Sequence, residues 1–249
     1  MRWSACVEML YAKEFPDVVQ RIGAAEADGF DAVEFWRFSN KDLDEVKKVL
    51  EWSSMPLAGI LSEIPHITDP RNYDAAVAGL RRSIDVARDL GAMNVIVCTG
   101  DIVSGLGRAE QHQAIVRVLR SGAELASGTG LTLVLEPLND RVDHKGYYLT
   151  SATEGLDIVD EVGAPEVKLL YDIYHSAVMG EDTASVLAGR IDRVGHVHLA
   201  DAPGRGEPGS GTMDWRRRVD WIVAEGYGGL IGLEYRPSRD TASTLEFRF

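Results

Sequence analysis

The chain has 249 residues, 45% of them hydrophobic, enough to bury the core of one large barrel or of two small domains. Its formal net charge of −13 argues against duplex DNA and anionic membranes as partners, since both reward Lys and Arg. No run approaches the ~20 apolar residues of a membrane span. The opening MRWSACVEML also lacks the long apolar stretch of a signal peptide, so the expectation is a soluble cytoplasmic protein.

Short apolar runs alternate with helical periodicity along the whole chain. Trp3–Met9 reads as a strand, and 15–28 as a helix with Val18, Val19, Ile22 and Ala25 on one face. Strand 32–36 and helix 41–52 follow, then strand 57–62 and a long helix over 72–90 closed by Gly91. Strand 94–98, helix 109–127, strand 131–136 and helix 152–162 continue the pattern. Strand 167–172, a helix near 183–188, strand 194–200, a helix near 215–225 and strand 230–234 complete it. The fifteen residues after position 234 leave room for a short eighth helix or none. Cys6 and Cys98 each lie in an apolar run and read as buried thiols rather than a disulfide.

Eight strands alternating with helices imply parallel pairing and right-handed crossovers. About 250 residues suits a (β/α)8 TIM barrel, so the prediction is one α/β domain over 1–249. A doubly wound open sheet is the alternative, but it advertises a glycine-rich loop after its first strand. Here that turn is MLYAKEFPD, without glycine.

In such a barrel, chemistry sits at the C-terminal ends of the strands. From the fifth strand onward those ends read LVLEPLN, LLYDIYH, GHVHLAD and IGLEYRP. Each places a ligand-type residue where the apolar run stops: Glu136, Asp172, His198 and Glu234. Singly, each is more often a salt-bridged rim acid or a satisfied core histidine; four at matched positions carry the signal. Three clustered carboxylates repel one another, and a divalent cation resolves the conflict. Oxygen ligands with one nitrogen suit Mn²⁺ or Mg²⁺.

The stretches LEPLND, VDHKGYYL, YDIYH, GHVHLADAPGRGEPGSG and GLEYRP, with GFDAVEFW near the start, resemble the hydroxypyruvate isomerase family. That family is one of the xylose-isomerase-like barrels, alongside the ketose 3-epimerases, and the resemblance covers nearly the whole chain. It implies a divalent metal on Glu136, Asp172, His198 and Glu234, with Glu136 and Glu234 moving protons on opposite faces of the substrate. It implies that His175 and Arg205 contact substrate oxygens, Arg205 taking a carboxylate or sugar hydroxyls. The implied reaction is isomerisation of hydroxypyruvate to tartronate semialdehyde through an enediolate, or epimerisation of a ketose by the same site. The chain departs from the pattern in two places. His198 stands where these isomerases often carry glutamine and the epimerases histidine, and Thr212-Met213 stand where Glu-Ile is usual.

Further candidates follow from position. Glu207 is placed to orient Arg205 by a bidentate pair. His144 and Lys145 after the fifth strand, and Glu63 and His66 after the third, lie near the rim as surface or supporting groups. Trp36 reads equally as pocket wall or core, Tyr171 and Tyr174 as packing residues, and His175 alternatively as a helix cap. An abasic-site endonuclease shares the barrel class, but its multi-zinc cluster needs many histidines and this chain has six, scattered. A non-catalytic sugar-binding barrel is the remaining class. GRGEPGSG does not match a P-loop. The short tail leaves a homo-oligomer open, with a partner subunit covering part of the barrel.

Overall fold

The computed structural model describes residues 1–248. Its strands are apolar runs buried on both faces, as parallel strands covered by helices must be. They are β1 (Arg2–Cys6), β2 (Ala32–Phe35), β3 (Leu57–Leu61), β4 (Ala92–Cys98), β5 (Thr132–Glu136), β6 (Val167–Asp172), β7 (Val194–Leu199) and β8 (Leu230–Leu233). Every neighbouring pair is parallel, and β1 also pairs with β8, which closes the sheet into an eight-stranded barrel.

The helices are α1 (Val18–Ala27), α2 (Leu43–Ser53), α3 (Tyr73–Asp89), α4 (Arg108–Ala126), α5 (Ala152–Val162), α6 (Ile173–Met179), α7 (Thr183–Leu187) and α8 (Trp215–Ala224). Side-chain caps set several starts: Asp17, Asp42, Ser151 and Asp214 each accept a backbone N–H from the first turn that follows. Gly163 closes α5 in the left-handed conformation at φ 69°. The main core lies between barrel and helices. Inside the barrel, Ala32, Ala58 and Leu230 form one small apolar cluster, and Ile96, Val134 and Leu170 another. No helix among the described residues is long and apolar enough to cross a membrane.

Three differences from the sequence reading have local causes. β1 stops at Cys6 instead of running to Met9, because the N–H groups of Met9 and Leu10 both turn back to the Cys6 carbonyl. α1 starts at Val18 instead of Phe15, where Pro16 and the Asp17 cap define its first turn. α6 was not anticipated; it springs from the last residue of β6, with Asp172 as its cap.

After β8 the expected short or missing helix is replaced by two single 3₁₀ turns, Ala242–Thr244 and Glu246–Arg248. Phe247 there meets the rings of Trp3, Trp215 and Tyr235 edge-on, at centroid distances of 5.9, 5.5 and 6.5 Å. This aromatic plug covers the β1/β8 seam that an eighth helix would cover. Phe247→Ala should therefore lower the unfolding free energy by about 2 kcal/mol in urea titration, and Phe247→Leu by less than half of that.

Candidate active site and metal centre

The ends of β5 to β8 bring Glu136, Asp172, His198 and Glu234 to one place. One ligand atom from each lies within 4.8 Å of the others, and all four residues are buried. Strand register fixes their common level, with Asp172 opposite His198 and Cys98 opposite Glu136. His198 Nδ1 lies 3.5 Å from Glu136 Oε1 and 3.6 Å from Glu234 Oε2, yet it is buried and makes no hydrogen bond. A buried ring nitrogen left without a partner is destabilising by about 1–3 kcal/mol. Here it faces a ring of carboxylate oxygens, a three-oxygen, one-nitrogen donor set that fits a divalent cation.

The charges agree with that fit. Burial pushes the Asp172 carboxyl up, outweighing the pull of Arg205 and His198. Burial also disfavours charge on His198, but Glu34 and then Glu234 overturn this and hold its pKa well above the ordinary value. The cluster thus favours positive charge at Nδ1, be it a proton or a cation.

Beneath these four residues lies a pair that the sequence reading missed. Glu34, on β2, accepts at Oε2 from His196 Nε2 at 2.8 Å and from His198 Nε2 at 3.3 Å, while Ser4 Oγ donates to Oε1 at 3.3 Å. Burial raises the Glu34 carboxyl, but His196 and His198 outweigh it and hold Glu34 ionised. The carboxylate fixes the proton of His198 on Nε2 and turns Nδ1 toward Glu136, Asp172 and Glu234. Gly232 makes room for this: a Cβ there would sit 2.1 Å from Glu34 Oε1 and 2.7 Å from His198 Cδ2. The sequence signal was a lone acid on the inward side of AVEFW, and an acid buried in a barrel needs a partner.

Arg205 reaches Glu234 from the loop after β7, with Nη2 2.5 Å from Oε2. Trp36 Nε1 donates to Oε1 of the same carboxylate at 2.7 Å, which makes it a polar wall and not core filler. Burial raises the Glu234 carboxyl, while His198 and then Arg205 draw it below the ordinary value. Arg205 is held at φ 54°, a left-handed conformation rare outside glycine. Glu207 does not orient it. The Glu207 carboxylate is taken by the N–H and hydroxyl of Ser238, so Glu234 is the partner of Arg205. Cys6 and Cys98 are free thiols, and their sulfurs lie 3.8 Å from Glu234 and Glu136 respectively.

His175 joins the cluster from the first turn of α6. Its backbone N–H donates to Asp172 Oδ1 at 2.8 Å, so Asp172 caps the helix that carries it. Its Nδ1 accepts the backbone N–H of Asn139 at 3.0 Å, which leaves the ring proton on Nε2. Nε2 is buried without a hydrogen bond, 3.8 Å from Asp172 Oδ2. Burial, and then the Arg205 charge, pushes the His175 pKa down to about 4. Tyr174 OH donates to Asp143, and Tyr171 OH bonds Ser176 and Thr183, both as packing groups.

Above these residues opens a cavity of about 260 Å³ whose lining includes Trp36, Arg37, Glu136, His144, Arg205 and Glu234. A neighbouring chamber of about 660 Å³ shares Arg37, Leu61, Cys98, Leu138 and His144 with it and adds Glu63, His66 and Asp101. His144, Glu63 and His66 thus line the mouth, whereas Lys145 lines neither space. Thr212 and Met213 donate their N–H groups to the Ala202 carbonyl and lie outside both cavities.

Residues 22–248 match the model of the xylose isomerase-like TIM barrel family. The hydroxypyruvate isomerase of Escherichia coli is 30% identical, with 99% of this chain and 98% of the relative covered. The chain belongs to the hydroxypyruvate isomerase family of xylose isomerase-like barrels. It is an isomerase. The 2-oxo-tetronate isomerase of Cupriavidus necator is likewise 30% identical, over 98% of this chain and 96% of the relative. Among solved structures, an AP endonuclease of family 2 from Brucella melitensis superposes with a TM-score of 0.86 at 25% identity, covering 99% of this chain and 97% of that one. A D-allulose 3-epimerase from a Methylomonas species superposes at 0.80 and 22% identity, covering 98% and 88%, which shows the shared fold.

Two outcomes follow from this geometry. Glu34→Gln keeps the shape but loses the charge behind His198, so metal affinity measured by calorimetry should fall by about 10- to 100-fold. An unfolded histidine binds its proton near pH 6.5, the folded His175 only near 4, so stability falls as the pH drops through that window. Nitrogen-15 spectra at pH 5.5 should show His175 as the neutral Nε2–H form; an imidazolium there would contradict the Asn139 contact.

Proposed function

We propose that the chain is a metal-dependent isomerase of a small α-hydroxy carbonyl compound, with hydroxypyruvate and tartronate semialdehyde as the pair interconverted. The observation that carries the reading is the unpartnered Nδ1 of buried His198 among Glu136, Asp172 and Glu234. A divalent cation held by these four residues, Mn²⁺ or Mg²⁺, would supply Lewis-acid polarisation of the substrate carbonyl.

The chain's own groups do the rest. Glu234, kept ionised by His198 and Arg205 and anchored by Trp36, takes the proton beside the carbonyl. The resulting enediolate passes the hydroxyl proton from one oxygen to the other and takes a proton at the former carbonyl carbon from Glu136, which enters protonated; exchange with solvent after product leaves resets both carboxyls, and the roles reverse in the back reaction. His175 offers its Nε2–H to a substrate oxygen, a donor that burial keeps neutral. The buried rim keeps water away from the enediolate while it exists. A ketose 3-epimerase is the second reading, favoured by histidine at 198; there the proton returns to the opposite face of the same carbon.

The test is an assay of the purified protein on hydroxypyruvate and on a panel of ketoses after chelation and after adding back Mn²⁺. Chelation should abolish turnover and lower the melting temperature, and Mn²⁺ should restore both. Full activity in exhaustively chelated protein would overturn the proposal, and turnover of ketoses alone would select the epimerase. At saturating metal, Glu136→Gln and Glu234→Gln should each lose at least about 10²-fold in kcat. Product formed in D₂O should carry deuterium at the carbon that receives the proton.

A further inference from the structure

A hydroxy-oxo acid brings a carboxylate into the site, and Arg205 is poorly placed to receive it. Its guanidinium is buried, sits 2.5 Å from Glu234 Oε2 and lies over the Tyr174 ring with its carbon 5.4 Å from the centroid. Its Nη2 is engaged by Glu234, and its remaining unpartnered nitrogen, Nε, is buried. One other arginine reaches the cavity. Arg37 follows Trp36 directly, is exposed, and lines both the cavity over the four candidate ligands and the larger chamber beside it. Among the described residues no carboxylate lies within 4.0 Å of its guanidinium. Its charge is felt by Glu63, whose Oε1 accepts the backbone N–H groups of Phe38 and Ser39 at 3.0 and 2.9 Å.

We propose that Arg37 binds the carboxylate of the substrate and so selects short hydroxy-oxo acids over neutral sugars. This rests on the isomerase reading above and names the residue that sets its substrate class. The outer chamber past Arg37 carries Glu63 and Asp101, which repel an anion drawn back toward the mouth and leave acceptors for the hydroxyls of a longer acid. The carboxylate therefore stops at the boundary between the two spaces, where Arg37 stands. A planar guanidinium suits this task because it can grip both carboxylate oxygens.

The experiment compares wild type, Arg37→Gln and Arg37→Lys with Mn²⁺ bound. Hydroxypyruvate is the substrate, and dihydroxyacetone, the same hydroxy-ketone without a carboxylate, is a competitive inhibitor. Arg37→Gln should raise the KM for hydroxypyruvate at least about tenfold, the worth of one charge-assisted hydrogen bond, with kcat within about twofold. The inhibition constant for dihydroxyacetone should not change, and Arg37→Lys should recover part of the KM. An unchanged KM in Arg37→Gln, or an equal loss for acid and neutral ketone, overturns this inference and leaves the isomerase reading standing. Failure of metal-loaded wild type to convert hydroxypyruvate overturns both.

Discussion

Everything at the rim of this barrel depends on how three buried carboxylates are kept together. Glu136, Asp172 and Glu234 crowd one point out of water, where like charges and burial both oppose ionisation. The fold answers with positive charge from two directions, His198 from within the cluster and Arg205 from the loop after β7, and the donor atoms converge where a cation would add a third. The arrangement is unfavourable as a mere core and makes sense as a receptor for positive charge. That is why the barrel fills its lower interior with Ala32, Ile96, Val134 and Leu170 and reserves its upper layer for ionisable groups.

The support for that layer is itself layered. Ser4 and His196 hold Glu34, Glu34 holds His198, and Gly232 leaves the space in which they meet. A carboxylate behind a ligating imidazole raises its basicity and removes its freedom to rotate. The two thiols, Cys6 beside Glu234 and Cys98 beside Glu136, are pushed up first by burial and then by those same carboxylates, so they stay neutral. They fill space next to the glutamates without adding negative charge.

Much of this was legible in the sequence, because parallel barrel strands are short apolar runs and their ends stand out. All eight strands and seven of the eight helices were readable from periodicity, and Glu136, Asp172, His198 and Glu234 each stood where an apolar run stopped. What stayed hidden depended on contacts between distant strands. Glu34 sits inside an apolar run, and only the closure of β1 onto β8 brings β2 within reach of β7. The pairing of Arg205 with Glu234 instead of Glu207 is likewise tertiary, since loop spacing favoured the nearer acid. α6 escaped because its seven residues follow a strand without a break, leaving too few positions for a helical period to show.

Asp172 also does two jobs with one carboxylate. Oδ1 accepts the backbone N–H of His175 and so begins α6, while Oδ2 faces the ligand cluster. A side chain shared in this way makes the ligand sphere and the start of a helix a single mechanical part. Whatever draws on Asp172 also pulls on the peptide of His175, and with it on the ring that Asn139 steadies from the other side. The acid and imidazole of YDIYH thus form a lever three residues long, through which occupancy of the centre would adjust the neutral imidazole donor beside it.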